Sequence, residues 1–267
     1  MDLARRIVEA IEAIREPPEK PRAYIGASIV GHPCDALLAF QLRGFPDGEI
    51  PPKLKRIFKM GHVIEDIVVA DLKKAGMAVW EKDGLTGRQH AYTEWGGHIV
   101  CHTDGHIELE PDRLAILEVK SMNEASFKKF QGSGVKLSHP RYFAQLQMMM
   151  GLSKIHESLF IAQNKNTQEY HAELVLFDPF EWSFIGERVS RVLSGNGHKI
   201  STDETDWRCR DCFKVAACWG GKNPEPACRN CAHAGPRPDG GWHCARHGRP
   251  AEELCSDYQL FHPKPKV

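Results

Sequence analysis

Apolar positions along the chain change period from segment to segment, and that change predicts the elements. Leu3, Ile7, Ile11 and Ile14 recur at helical spacing. They predict an amphipathic helix over the first 15 residues, ended by Pro17 and Pro18, with its apolar face expected in the core. Pro33 opens a second helix carrying Leu37, Leu38 and Leu42, with Cys34 in its first turn. Leu54, Phe58, Ile64, Val68 and Leu72 mark a longer helix that runs to Ala75 and is closed by Gly76. Glu65 falls on or beside its inward face, where a carboxylate is costly unless paired or bound to a metal. His62 lies one turn earlier on the same side.

The period then shortens to two. MAVWEKD, RQHAYTEW, HIVCHTDGHIE and RLAILEVKS read as an antiparallel set of strands with turns between them. Asn123 is placed to cap a short helix through Phe130, GSGVKLSHP reads as a loop, and a helix from Arg141 to Leu152 carries Tyr142, Gln145 and Gln147. The strands HESLFIAQNK and EYHAELVLFD follow, then a helix from Pro179 to Leu193. This order predicts an α+β domain with a mixed sheet.

The chemistry is concentrated between Cys101 and Lys120. Asp104 stands at the start of one predicted strand, and Glu118 and Lys120 stand near the end of the next. Residues two apart on a strand share a face, so Glu118 and Lys120 project together towards Asp104. Two carboxylates and an amine converging there can bind a divalent metal and activate water. The plainer alternative is a hairpin with a solvated polar end, because DG and PD are ordinary turn signals.

Composition narrows the setting. The 35 basic residues balance the 35 acidic ones, so nucleic-acid binding would have to come from local patches. No apolar run approaches a bilayer span and no signal segment opens the chain, which predicts a soluble cytoplasmic protein. Most of the nine cysteines follow Trp207, with CxxC spacings that favour metal ligation over disulfides. Cys228, Cys231, Cys244 and Cys255 form one set of four, in a segment with little apolar material, and predict a structural zinc. His243 and His247 are substitute ligands there. Cys209, Cys212 and Cys218 form a set one ligand short, for which Cys34 is the candidate and Cys101, inside a strand, the competitor.

Four motifs in register carry a family resemblance: Gly61-x-x-x-Glu65, Asp104-Gly105, Glu118-Val119-Lys120, and Gln145 on the following helix. In that order they resemble the PD-(D/E)XK nuclease superfamily, particularly its RecB-type and phage exonucleases, over roughly residues 24 to 195. The cysteine layout is similar to the iron-sulfur branch with the CRISPR adaptation nucleases and AddB-type proteins. The resemblance implies a restriction-endonuclease-like core in which Glu65, Asp104, Glu118 and the carbonyl of Val119 ligate Mg2+ or Mn2+, with His62 as a further candidate. It also implies that Lys120 orients or deprotonates the attacking water, and that Gln145 contacts the scissile region or supports the metal site. It implies a 4Fe-4S cluster on Cys34, Cys209, Cys212 and Cys218, though zinc fits the same ligands. Met149 departs from the pattern, since many relatives have a tyrosine four residues after the glutamine; Tyr142 on the same helix is the candidate substitute.

The organisation expected is an N-terminal helix and linker (1–23), a nuclease domain (24–220) and a zinc module (221–267). Arg56, Lys59, Lys136 and Tyr142 are the candidate DNA contacts, within basic stretches that include Lys53, Lys55, Lys128, Lys129 and Arg141. The function expected is a metal-dependent DNA exonuclease acting at DNA ends in phage or prophage recombination or repair in a bacterial host, with a single-strand annealing protein as a candidate partner. A structure-specific endonuclease and a noncatalytic nucleic-acid-binding subunit are the alternatives.

Overall fold

A computed structural model describes residues 2–15, 17 and 20–265. The chain opens with helix α1 (Leu3–Glu12), strand β1 (Ile25–Gly26), the short helices α2 (Ala27–Val30) and α3 (Asp35–Leu42), and the long α4 (Pro52–Lys74). Strands β2 (Val79–Trp80), β3 (Ala91–Glu94), β4 (Ile99–His102), β5 (Gly105–Glu110) and β6 (Arg113–Met122) come next. They lead into α5 (Glu124–Ser138), α6 (Pro140–Ser153), β7 (Glu157–Asn164), β8 (Tyr170–Leu176) and α7 (Pro179–Leu193). The tail holds the short α8 (Val215–Cys218) and strands β9 (Ala234–Pro236), β10 (Trp242–Cys244) and β11 (Arg249–Pro250), which form an antiparallel ribbon.

The α+β architecture is mixed, as the alternating periods require. Five strands pair in the order β2-β5-β6-β7-β8, with β6 and β7 parallel and the other neighbours antiparallel. Parallel neighbours need a long crossover, and α5 and α6 supply it. Side-chain parity then divides the core. Ile116, Phe160 and Ala162 pack with Phe127, Phe130 and Met149 of the crossover helices, while Leu117, Val119 and Ile161 pack with Ile64, Val68 and Val69 of α4. Both faces are covered, so β6 and β7 are buried runs rather than alternating ones.

Three expectations are corrected. The strands between residues 77 and 108 do not form one antiparallel set: β3 and β4 leave it and pair with β1 in a separate three-stranded sheet, β1 running parallel to β4. The segment GSGVKLS is helical. Gly134 (φ 67°) kinks α5, Glu173 accepts the Val135 N–H at 2.7 Å, and the helix resumes to Ser138. Asn123 does cap its start, accepting the Ser126 N–H at 2.9 Å. Helix α1 forms but buries none of its residues, with Leu3 67% exposed. Its apolar face meets no core, and ion pairs of Glu12 with Arg56 and of Arg15 with Glu49, both 2.5 Å, link this end of the chain to the body.

The cysteine-rich tail is docked on the core through α3. Arg43, its C-cap, is 4% exposed and donates to the carbonyls of Arg229, Cys231 and Ala234 at 3.1, 2.9 and 2.9 Å. Its guanidinium also lies 3.9 Å from the Phe261 ring centroid and 5.2 Å from that of Trp242. At the other end of α3, Asp35 receives Arg188 and Arg191 at 2.7 and 2.8 Å, next to Cys34 at the N-cap. Buried Lys214 donates to the Phe45 carbonyl at 2.6 Å and pairs with Asp47 at 2.7 Å, fixing the loop that carries Cys209, Cys212 and Cys218.

Candidate active site

The hairpin of β5 and β6 brings the first carboxylates together. Its register sets Gly105 opposite Leu117, which places Asp104, one residue before β5, level with Glu118. Asp104 Oδ2 accepts the Val119 N–H at 2.8 Å. A Cβ at Gly105 would stand 3.1 Å from the Trp80 carbonyl, so a side chain there would press on β2. On β6, Glu118 is 1% exposed and its Oε1 takes both the Lys120 ammonium and the Gln145 amide, the latter at 2.7 Å. Gln145 reaches it from α6, a fourteen-residue helix buried from Phe143 to Gly151. Glu118 Oε2 is buried with no hydrogen-bond partner.

Glu65 approaches from α4, half-buried beside Ile64, with His62 Nδ1 3.6 Å from its Oε2. The charges feel one another. Burial, then Asp104, raises the Glu65 pKa, and burial also raises Asp104 against the pull of Lys120. Burial and then Asp104 push Glu118 up to about 8. Burial alone would lower the Lys120 pKa, but Glu118 and Asp104 outweigh it and hold the ammonium above the usual lysine range. An ion pair alone depresses a carboxylate, but at Glu118 burial and two neighbouring carboxylates count for more than one ammonium.

Helix α6 also carries Tyr142, whose ring centroid lies 5.4 Å from Lys120 Nζ. The His139 ring stacks on it at 5.5 Å with a 14° interplanar angle. This stack was missed in the sequence, because His139 stands at the N-cap of α6 with a non-helical backbone and not on the helical face that carries Tyr142. The predicted basic contacts are engaged on the surface: Arg56 with Glu12, Lys136 with Asp178 at 2.9 Å and Lys128 with Glu124 at 2.7 Å. Lys59 is exposed on α4. Ser138 turns back to the Gly134 carbonyl and to His139 Nδ1, as a helix-end residue does.

All nine cysteines are free thiols. Cys34, Cys209, Cys212 and Cys218 line one cavity, and Cys228, Cys231, Cys244 and Cys255 line another together with His247. Burial raises Cys209, Cys212 and Cys218, and the nearby Cys34 adds to each. Cys101 lies in β4, 1% exposed, with its thiol pushed up to about 12 by burial. It does not line either cavity. Among the described residues no three His, Cys, Asp or Glu side chains stand at ligating spacing, so the sets converge without closing on a metal geometry. No described helix is long and apolar enough to cross a membrane.

No family profile matches the chain, and no curated protein does. Solved structures similar to it include an alkaline exonuclease from Laribacter hongkongensis, at 18% identity and TM-score 0.47, covering 65% of this chain and 88% of that one. SSO0001 is similar at 11% identity and TM-score 0.45, covering 84% and 96%. A phage-related exonuclease from Haemophilus somnus 129PT is similar at 16% identity and TM-score 0.43, covering 62% and 78%. Likenesses at this level carry no argument for activity, which has to come from the side chains themselves.

Proposed function

We propose that this chain is a metal-dependent DNA exonuclease that hydrolyses phosphodiester bonds at DNA ends through Glu65, Asp104, Glu118 and Lys120. One observation carries the reading: a fully buried carboxylate oxygen, Glu118 Oε2, stands without a partner among two further carboxylates. Leaving such an atom unsatisfied is costly, and hard oxygen donors crowded in this way suit Mg2+ or Mn2+. Glu65, Asp104, Glu118 and the Val119 carbonyl are the proposed ligands, with His62 beside Glu65.

A divalent ion held by these groups supplies Lewis acidity for activating water and offsetting phosphate charge. The protein's own part is positional. Gln145 holds one Glu118 oxygen and leaves the other uncommitted. The raised Lys120 is an ammonium in the metal-free protein, so its role is to donate to the attacking water and to face the charge that builds on the phosphate. The Val119 N–H fixes the Asp104 carboxylate.

The two cysteine-lined cavities fit a supporting role. Burial and neighbouring sulfurs favour the protonated thiols of Cys209, Cys212 and Cys218, and metal ligation would take those protons. Cys34, Cys209, Cys212 and Cys218 suit a 4Fe-4S cluster, and Cys228, Cys231, Cys244 and Cys255 suit zinc; anaerobic metal analysis and the visible spectrum test both. A role in phage recombination beside an annealing protein, in the cytoplasm of a bacterial host, follows from the motif resemblance.

Incubation of linear and covalently closed DNA with Mg2+ or Mn2+ is the deciding experiment. Degradation of linear DNA alone is expected. Cutting of closed circles would favour an endonuclease, and no cutting of either by the wild type would remove the nuclease reading.

A further inference from the structure

Lys120 has two partners of different kinds. Its ion pair is with Glu118, whose Oε1 also receives Gln145. Its second partner is the face of Tyr142, 5.4 Å from Nζ to the ring centroid, within the range where a ring quadrupole attracts an ammonium.

Two further rings pack against this one. His139 stacks on it at 5.5 Å, and Phe160 of β7 packs against it at 5.9 Å. His139 is itself fixed, with Nδ1 2.8 Å from Ser138 Oγ. Burial, then Lys129, holds the His139 imidazole below the usual histidine range, so it adds no positive charge beneath the ammonium. A divalent cation on the free Glu118 Oε2 would draw on the negative charge that holds Lys120 at Oε1. The closest tether on the ammonium then weakens, and the Tyr142 face remains.

We propose that Tyr142 is a positioning residue for Lys120: its braced ring keeps the ammonium at the reacting phosphate once Glu118 is engaged by a divalent ion. This rests on the nuclease reading, and it differs from a direct Tyr142 contact to DNA. A contact to DNA would act on substrate binding, whereas a ring under Lys120 acts on turnover.

The test compares Tyr142→Leu with Tyr142→Phe in steady-state hydrolysis of linear duplex DNA with Mg2+. Loss of the ring should lower kcat about tenfold with KM unchanged, and Tyr142→Phe should recover most of that loss. A raised KM with unchanged kcat, an equal loss in both variants, or no loss in either would overturn the proposal. A readout independent of activity is labelling of Lys120 by an amine-reactive ester in the presence of Mg2+, followed by mass spectrometry. Tyr142→Leu should label severalfold faster than wild type and Tyr142→Phe should not; equal labelling of all three overturns the role. If the wild type cuts no DNA, the nuclease reading fails while the labelling still judges the ring. Should the leucine variant not fold, Tyr142→Trp, which retains a ring face, is expected to label as slowly as wild type, and a severalfold rise would overturn the proposal.

Discussion

The carboxylate site and the cysteine-lined tail both gather groups that disfavour one another's ionisation, but they are held in place differently. Asp104 at the head of β5 and Glu118 on β6 stand level in the middle of a sheet covered on both faces, and their partners, Lys120, Gln145 and the Val119 N–H, belong to that same packed unit. The tail has short helical turns and a three-stranded ribbon, and much of its order comes from outside, through Arg43 and Lys214. A site set by its own sheet can lose a functional group and keep its shape. A region set by borrowed anchors cannot lose the anchor so cheaply.

Four experiments bear on that contrast. Lys120→Ala should lower kcat on linear DNA by about a thousandfold, the upper end for loss of a preorganised charge, while the thermal midpoint moves little; a large fall in the midpoint would mean that the sheet does not set the site. Arg43→Ala should cost about 3 kcal/mol in urea denaturation, because three carbonyls and two ring faces lose a buried cation at once. A change below about 1 kcal/mol would show that the tail holds itself.

The third is a pH dependence. In the metal-free protein burial and Asp104 raise Glu118 to about 8, so near neutral pH a proton competes for the carboxylate that Lys120 pairs with. A cation must displace that proton, so Mg2+ affinity measured by calorimetry should rise with pH, by up to about tenfold per unit, and level off above about 8. Stability of the metal-free protein runs the other way. A raised folded-state carboxyl contributes fully below its ordinary 4.5 and loses that contribution as pH climbs to about 8, and Glu118→Gln should flatten the slope. The smallest effect is expected from removing residues 2 to 15, under about 1 kcal/mol, since α1 buries nothing and exposed ion pairs contribute little.

Long periodic segments were legible. α4, α6 and α7 fall within a few residues of their sequence reading, as do β6 to β8, because burial dictates their apolar spacing, whereas HIVCHTDGHIE, read as one segment, divides at Asp104 into β4 and β5 of different sheets. The convergence of Asp104, Glu118 and Lys120 was legible for the same reason. Other features depend on partners distant in sequence. The α1 pattern is strongly amphipathic, yet nothing in it says whether a core lies opposite. GSGVKLS carries two glycines and reads as a loop, but Gly134 needs only one positive φ, with Glu173 38 residues away accepting the next N–H, for the helix to resume. Arg43 follows an apolar helix with no local sign that its cation will be buried 188 residues away against the Cys231 carbonyl.

Helix α3 has a cysteine at one cap and that arginine at the other, and spans only eight residues. It is short enough to behave as a rigid strut with one cysteine cavity at each end, so a shift of its axis at Cys34 must displace the guanidinium at Arg43. Movement of the lining at Cys34 is therefore expected to reach the Cys231 loop through this one helix, without passing through the sheet.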